Sequence, residues 1–380
     1  MTGRILVRLA ALVWLSLPAA SQTAAQWAAE AYAHLSAGRD GPAIEAFEQA
    51  LAADPPPHER YQLAADLGFA LNRLSRWEEA AAAFSLALAV HDDPLLRRAR
   101  AYALKAAGQT TAAADAFRAA MIHDPAMPAE REELLRREVR DMSRRLIGQT
   151  YVQLRAEPAF DAVTVTDPPV VGSQGGAELA VRLVDRLGLE IRPAARLLWA
   201  FDAFTFAAVD DSLQAGIGVQ IKPFRRRNLI LSAERLIAIG DFARNDWLLR
   251  ASWSEGLGYE GAPGRRIWPF FSVYLDAAVI APVMPDLIVA ADVRAGLGWR
   301  VHERVTLRPI LAASALMQEG FGDVLELIEA GPGMRLILTP PGTRLRASSV
   351  AIEIEARWRQ KIAGDAGNRS GFTLTLALRF

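Results

Sequence analysis

Apolar residues change their spacing once along this chain. Up to about residue 148 they recur with the period of a helix, and beyond it they recur at every second position, as in strands. The second pattern is plainest near the C-terminal end. Phe372, Leu374, Leu376, Leu378 and Phe380 fall on one face, and Thr373, Thr375, Ala377 and Arg379 on the other. Between Ser349 and Lys361, Ile352, Ile354, Ala356 and Trp358 alternate with Glu353, Glu355, Arg357 and Arg359. Each of those charges would cost about 2–4 kcal/mol facing lipid near the bilayer midplane, so they are expected to line an interior or meet water. With lapses, the same alternation predicts strands at 149–157, 177–185, 194–202, 213–222, 228–236, 246–255, 268–281, 286–298, 304–316 and 325–338. Together these make twelve, an even number as bacterial membrane barrels have. A soluble β-sandwich has strands of similar length, but it puts their polar faces outside in water and an apolar core between two sheets.

The helical part repeats. Tyr32, Leu35, Gly38, Ala46 and Phe47 lay over later segments in which Ala83-Phe84 and Ala116-Phe117 restate the Ala-Phe pair, at intervals of 37 and 33 residues. Each unit ends near an Asp-Pro (Asp54-Pro55, Asp93-Pro94, Asp124-Pro125), where proline stops a helix. Gly38, Ser75 and Gly108 stand between paired helices, and small alanines let those helices approach. About three such units over 26–127 resemble tetratricopeptide repeats, although the large aromatic expected early in each is only partly kept (Trp27, Tyr61, Tyr102). Tyr32, Leu35, Gly38, Phe47, Phe84, Gly108 and Phe117 are the residues expected to define this arm, which is either a partner-binding groove or a bare spacer.

Residues 128–148 predict a connecting or capping helix: Leu134, Leu135, Val139, Met142 and Leu146 form one stripe among Arg136, Arg137, Arg140, Arg144 and Arg145. At the other end, Arg4 and Arg8, apolar Leu9 to Leu17, and Ala19, Ala20, Ser21, Ala24 and Ala25 have the order of a secretory signal over 1–25, cleaved after Ser21 or Ala25. No later apolar run has the ~20 residues of a spanning helix, so membrane insertion would use strands over 149–380.

Composition narrows the chemistry. With no cysteine there is no lipoprotein anchor, disulfide, thiolate metal site or cysteine nucleophile, and 43 basic against 43 acidic side chains leave no nucleic-acid footprint. Gly256-Leu257-Gly258-Tyr259-Glu260-Gly261 has the spacing of a dinucleotide loop, but Pro263-Gly264-Arg265-Arg266 leads to a strand at Trp268 where that site needs a helix. It predicts a hairpin loop. The barrel region holds one histidine, His302, beside Glu303 and Arg304 in an expected turn, and no H-E-x-x-H occurs, so no enzyme, cofactor or metal site is expected. Asn368-Arg369-Ser370 has only the form of a sequon. Gly-x-Gly pairs at 216/218, 296/298 and 331/333 are expected to relieve crowding or make room for other side chains. Trp199, Trp247, Trp253, Trp268, Trp299 and Trp358, with Tyr259, Tyr274 and Phe380, are expected as interfacial girdles.

One block is specific. Ser232 to Leu236, Ile239-Gly240-Asp241, Asn245 to Ser252 and Gly256 resemble the C-terminal domain of the bacteriophage adsorption protein A (NfrA-type) family. Gly172 to Gly175, Ala177 to Leu179 and Gln214 to Val219 extend the likeness upstream, and Tyr274 to Ala278 and Leu327 to Gly333 downstream, over about 150–380. The resemblance implies an outer-membrane protein preceded by helical repeats, tied to surface-glycan export and used by phages as a receptor. Here the repeats number only about three, which weakens a docking role for a large polysaccharide synthase. Phe380 looks like the signal read by the barrel-assembly machinery.

The expectation is therefore an α+β multidomain protein, with tetratricopeptide-like helices followed by an antiparallel outer-membrane β-barrel of about 12 strands. Outer-membrane lipid would surround the barrel, the repeats would meet a protein partner in the periplasm, and glycan is the candidate cargo. Glu178, Arg182, Glu234, Arg235, Arg250, Asp292, Arg294, Glu353, Glu355, Arg357 and Arg359 are the candidate lumen charges. A conduit for surface glycan needs that lumen open; a non-conducting scaffold that recruits periplasmic partners needs it filled.

Overall fold

The computed structural model describes residues 23–155, 172–186, 189–202, 205, 212–224, 227–241, 243–262, 264–283, 286–320, 323–365 and 370–380. The signal-like stretch Arg4 to Ser21, the sequon residues Asn368 and Arg369, and Pro263 lie outside them. The chain forms two compact units, Met1–Asp124 and Pro125–Phe380.

The described residues of the first unit form six helices: α1 (Ala24–Ser36), α2 (Asp40–Ala52), α3 (Pro57–Arg73), α4 (Trp77–Val90), α5 (Pro94–Ala106) and α6 (Thr110–Ile122). Ala24 and Ala25 open α1, whose first turn is fixed by a capping box between Thr23 and Gln26. Asp93 caps α5 just ahead of Pro94. The three pairs turn back at Gly38 (φ 69°), Ser75 (φ 61°) and Gly108 (φ 82°), a left-handed conformation that costs glycine nothing and that Ser75 adopts all the same. Phe47, Phe84 and Phe117 are fully buried, each meeting an aromatic ring of the preceding helix edge-on at 5.4, 5.0 and 4.9 Å (Tyr32, Phe69 and Tyr102). Burying each ring contributes about 1.5–3 kcal/mol. Polar links repeat as well: the Tyr32 hydroxyl donates to Asp66 at 2.8 Å and the Tyr61 hydroxyl to Asp93 at 2.6 Å. The helices are tetratricopeptide-like.

The described residues of the second unit form α7 (Ala129–Ser143) and thirteen strands: β1 (Leu146–Arg155), β2 (Gln174–Val181), β3 (Val184–Arg186), β4 (Leu189–Ala200), β5 (Gln214–Lys222), β6 (Asn228–Ala238), β7 (Trp247–Leu257), β8 (Ile267–Ala281), β9 (Asp286–His302), β10 (Val305–Gly320), β11 (Asp323–Leu338), β12 (Ala351–Gly364) and β13 (Gly371–Arg379). Neighbours in sequence pair antiparallel, β1 pairs with β13, and β2 pairs with β4. Those last pairings close the sheet. Short β3 continues the line of β2 beyond Arg182-Leu183 and also pairs with β4, so the ring has twelve strands. His302 ends β9, and its ring Nδ1 accepts from the Arg304 backbone across the next turn.

Closure decides which face is which. Val289, Leu297 and Trp299 of β9, and Phe372, Leu374 and Leu376 of β13, are exposed outside, while Asp292, Arg294 and Thr373 are buried inside. A β-sandwich reverses that arrangement, and the alternative is excluded. An apolar outer wall around a polar interior is what a bilayer-spanning barrel requires.

The girdle expectation needs correction at three rings. Trp247, Trp299 and Trp358 are exposed on the outer face, but Trp268 is buried inside, and Tyr259 and Tyr274 also turn to the interior. Strand parity gives the reason for Trp268 and Tyr274, and Gly298 provides the space: a Cβ there would sit 2.3 Å from the Trp268 ring. Phe380 packs over Gly148, with which it exchanges both backbone hydrogen bonds.

Candidate functional site in the barrel interior

Each strand sends every second side chain inward, so the interior is a stack of layers. We call the end where the chain enters at Leu146 the helix end and the opposite one the far end. Nearest the far end, Arg244 pairs with Asp286 at 2.8 Å. Below it lies an apolar layer of Leu236, Leu248, Ile280, Ile288, Leu316 and Leu327, with Leu198 on the neighbouring wall. These are five per cent exposed or less.

Charged layers adjoin it. Glu329 accepts from Arg359 at 2.6 Å and from Arg155, which lies three strands around the wall. Arg196 pairs with Glu234, Arg250 reaches Asp276 at 2.7 Å and the Tyr274 hydroxyl at 2.6 Å, and Gln220 donates to Glu178. A larger network joins Arg294 to Asp292 (2.6 Å) and Glu355 (3.0 Å), Arg335 to Glu355 and Glu353, and Arg357 to Asp292 (3.6 Å). Isolated charges would be prohibitive in so enclosed a space, and their pairing satisfies the desolvation cost. Gly216 leaves room for the Arg196–Glu234 pair, since a Cβ there would meet Glu234 at 3.1 Å.

At the helix end a loop folds inward and covers part of the interior. The Tyr259 hydroxyl accepts from Arg335 at 2.9 Å and Arg379 at 3.2 Å, its carbonyl accepts from Arg308, and the Arg308 guanidinium lies 4.9 Å from its ring. Trp268, Phe270, Ile310 and Ala312 pack beside it, and the Trp268 indole donates to Gly258 at 2.8 Å. The next residues hold α7. Glu260 binds Arg140 at 2.9 Å, Gly261 accepts from Arg137 at 3.4 Å, and Arg136 reaches the Thr343 carbonyl at 2.9 Å. The glycine-spaced motif is thus a clasp between interior and helix.

Of the candidate lumen charges, Glu178, Glu234, Arg250, Asp292, Arg294, Glu353, Glu355, Arg357 and Arg359 project inside. Arg182 lies at the rim of the helix end, bound to Glu190 and to the Asp141 carbonyl, both at 2.8 Å. Arg235 is the correction. It follows inward-facing Glu234, and adjacent residues of a strand cannot share a face. It points outward and covers the Trp247 ring at 5.7 Å. Sequence reasoning passed over Arg155, Arg196, Asp276, Glu329 and Arg335, although parity with their neighbours marks each of them. Tyr259 carries no such mark, because it enters from a loop.

Beside Tyr259 the interior is not full. A cavity of about 590 Å³ opens at the helix end, lined by Arg144, Arg192 and Arg379 on one side and by Ser232, Ser252 and Ser254 on another. Among the described residues no cluster of three or more metal-ligating side chains occurs.

Fold and interior define a class: a tetratricopeptide-like arm ahead of a twelve-stranded barrel with the inside-out polarity of membrane barrels. The particular likeness is narrower. Residues 207–375, from ahead of β5 into β13, match the family described as Bacteriophage N adsorption protein A C-term. The match takes in the block at Ser232 to Gly256 and leaves out Gly172 to Leu179. No curated protein matches the chain. Similar solved structures lie in the arm. The crystal structure of MamA protein is 15% identical, covering 28% of this chain and 57% of its own, with a TM-score of 0.25. The second TPR domain of human RPAP3, in complex with an HSP70 peptide, is 17% identical over 32% of this chain and 98% of its own, with a TM-score of 0.26. Family, barrel and repeats together fit an outer-membrane protein of the phage-adsorption kind.

Proposed function

We propose that this protein is a non-conducting outer-membrane anchor and binding module: the barrel fixes it in the membrane, and the periplasmic arm recruits a protein partner. One observation carries the reading. The inward charges are paired with one another across a closed ring, and an apolar layer lies between them and the far end, so the chain's own side chains obstruct the path through the barrel. Passage of a glycan would require those pairs to part, and breaking a buried pair costs about 3–5 kcal/mol. The far end, with the family likeness behind it, is the surface that a phage would meet. The arm adds regular helix pairs of the kind that build extended binding surfaces.

Deletion of the whole chain tests the division of labour. The reading expects surface-glycan export to continue while the arm's protein partner loses its association with the outer membrane. Loss of export with that partner still held at the outer membrane would contradict it.

A further inference from the structure

Among the described residues, the cavity at the helix end is bounded toward the far end by Arg250 with Asp276 and by Arg196 with Glu234, and beyond those by the apolar layer. Its open side lies by Arg144 and Gly148 at the start of β1 and by Asn228 at the start of β6. A volume of about 590 Å³ falls within the ~300–1,000 Å³ of ligand-sized clefts.

Its walls differ in chemistry. On one side Arg144, Arg192 and Arg379 converge from the α7–β1 junction, β4 and β13. Opposite stand Ser232, Ser252, Ser254 and Ser272, short hydroxyls that leave room and can both donate and accept. Five of the described lining residues are arginines and three are carboxylates; Arg192, Arg250, Arg294 and Arg379 also have Glu190, Asp276, Glu355 and Glu353 beside them, whereas Arg144 donates to the Phe380 carbonyl, so the positive charge of the cavity is concentrated at Arg144. The surroundings of Arg144 agree with this. Burial, followed by repulsion from Arg140, Arg182 and Arg192, holds its guanidinium below the ordinary arginine range.

We infer that this cavity binds a small organic oxyanion, a carboxylate or phosphate on a hydroxyl-bearing body, entering from the helix end and leaving the same way. The arginine wall receives the charge, and the serine wall receives the hydroxyls. The inference rests on the non-conducting reading above, yet it is separable from it. Failure to bind in a protein that does not conduct overturns the site alone, whereas conduction overturns the closure.

The test is calorimetric titration of the full chain in detergent with glucose 1-phosphate, glucuronate and glucose. Binding of either anion at one site, weakened by salt, with no binding of glucose, is expected; which anion binds tells a phosphate source from a carboxylate one. Arg144→Gln should weaken it about ten-fold or more, the loss of one charged hydrogen bond. Ser232→Met, which removes no charge and fills the cavity, should abolish it while the barrel keeps its heat-modifiable mobility. If Ser232→Met does not fold, the Arg144→Gln result decides. Equal binding of glucose, no binding of either anion, or binding indifferent to the variant that folds would overturn the proposal.

Discussion

Glu329 faces two arginines, Arg155 and Arg359, in a space from which water is nearly excluded. Glu329→Leu would leave two like charges buried together, and its expected cost is about 3–5 kcal/mol, read as a lower urea midpoint for the heat-modifiable barrel. A midpoint unchanged from the parent would show that the pair is hydrated. Gly298 supplies a second test at this scale. Gly298→Ala pushes on the Trp268 ring, and overpacking of this kind typically costs about 1–3 kcal/mol, visible in the same titration. These residues also show what a sequence can and cannot display. The parity that places Glu353 and Glu355 inside places Arg235 outside, once Glu234 is known to face in. Arg196, Glu329 and Arg335 were equally marked, but inward glycines and alanines such as Gly216, Ala290 and Ala312 blur the polar alternation around them. Tyr259 could not be placed at all, since nothing local tells whether a loop turns toward the interior or toward water.

Among the elements, the repeat pairs were legible because the Ala-Phe spacing is also the spacing of their buried contacts, and the twelve strands because a half-buried strand has a period of two. The surroundings of α7 were not: its partners Glu260, Gly261 and Thr343 lie more than a hundred residues away, and only the closed barrel brings them to it. Gly264 is a sensitive point there, having a φ of 73° and a position where a Cβ would come within 1.9 Å of Glu130. Gly264→Ala should speed hydrogen exchange in α7 and leave the strands unchanged; equal exchange in α7 would mean that the clasp does not hold it. The arm should respond to pH at both extremes. Arg73 holds the Asp40 carboxyl below its ordinary value of 3.8, so that link stabilises at neutral pH and is lost as the pH falls below 3.8. Hydrogen bonding to Asp93, together with burial, pushes Tyr61 up to about 12, so its contribution is present below 10 and is lost as the pH rises through about 12. Asp40→Asn should soften the acid limb of helical circular dichroism and leave the alkaline limb in place, whereas Tyr61→Phe should soften the alkaline limb.

For the whole molecule, an apolar exterior and an ion-paired polar interior belong to one design: lipid solvates the outside, and the chain's own ion pairs take the place of water over much of the inside. Twelve strands enclose a modest interior, small enough for side chains to fill. Most of the arginines and carboxylates that sequence presents as a charged lumen take part in obstructing it, and their pairing across the ring is what separates a conduit from a plug. Electrical recording from the purified full-length protein in planar lipid bilayers addresses this most directly. We expect a baseline indistinguishable from protein-free membranes at low voltage, with steps appearing in a variant that removes Glu329 and Glu355 together. Stable, ohmic single-channel steps from the unaltered protein would contradict the account.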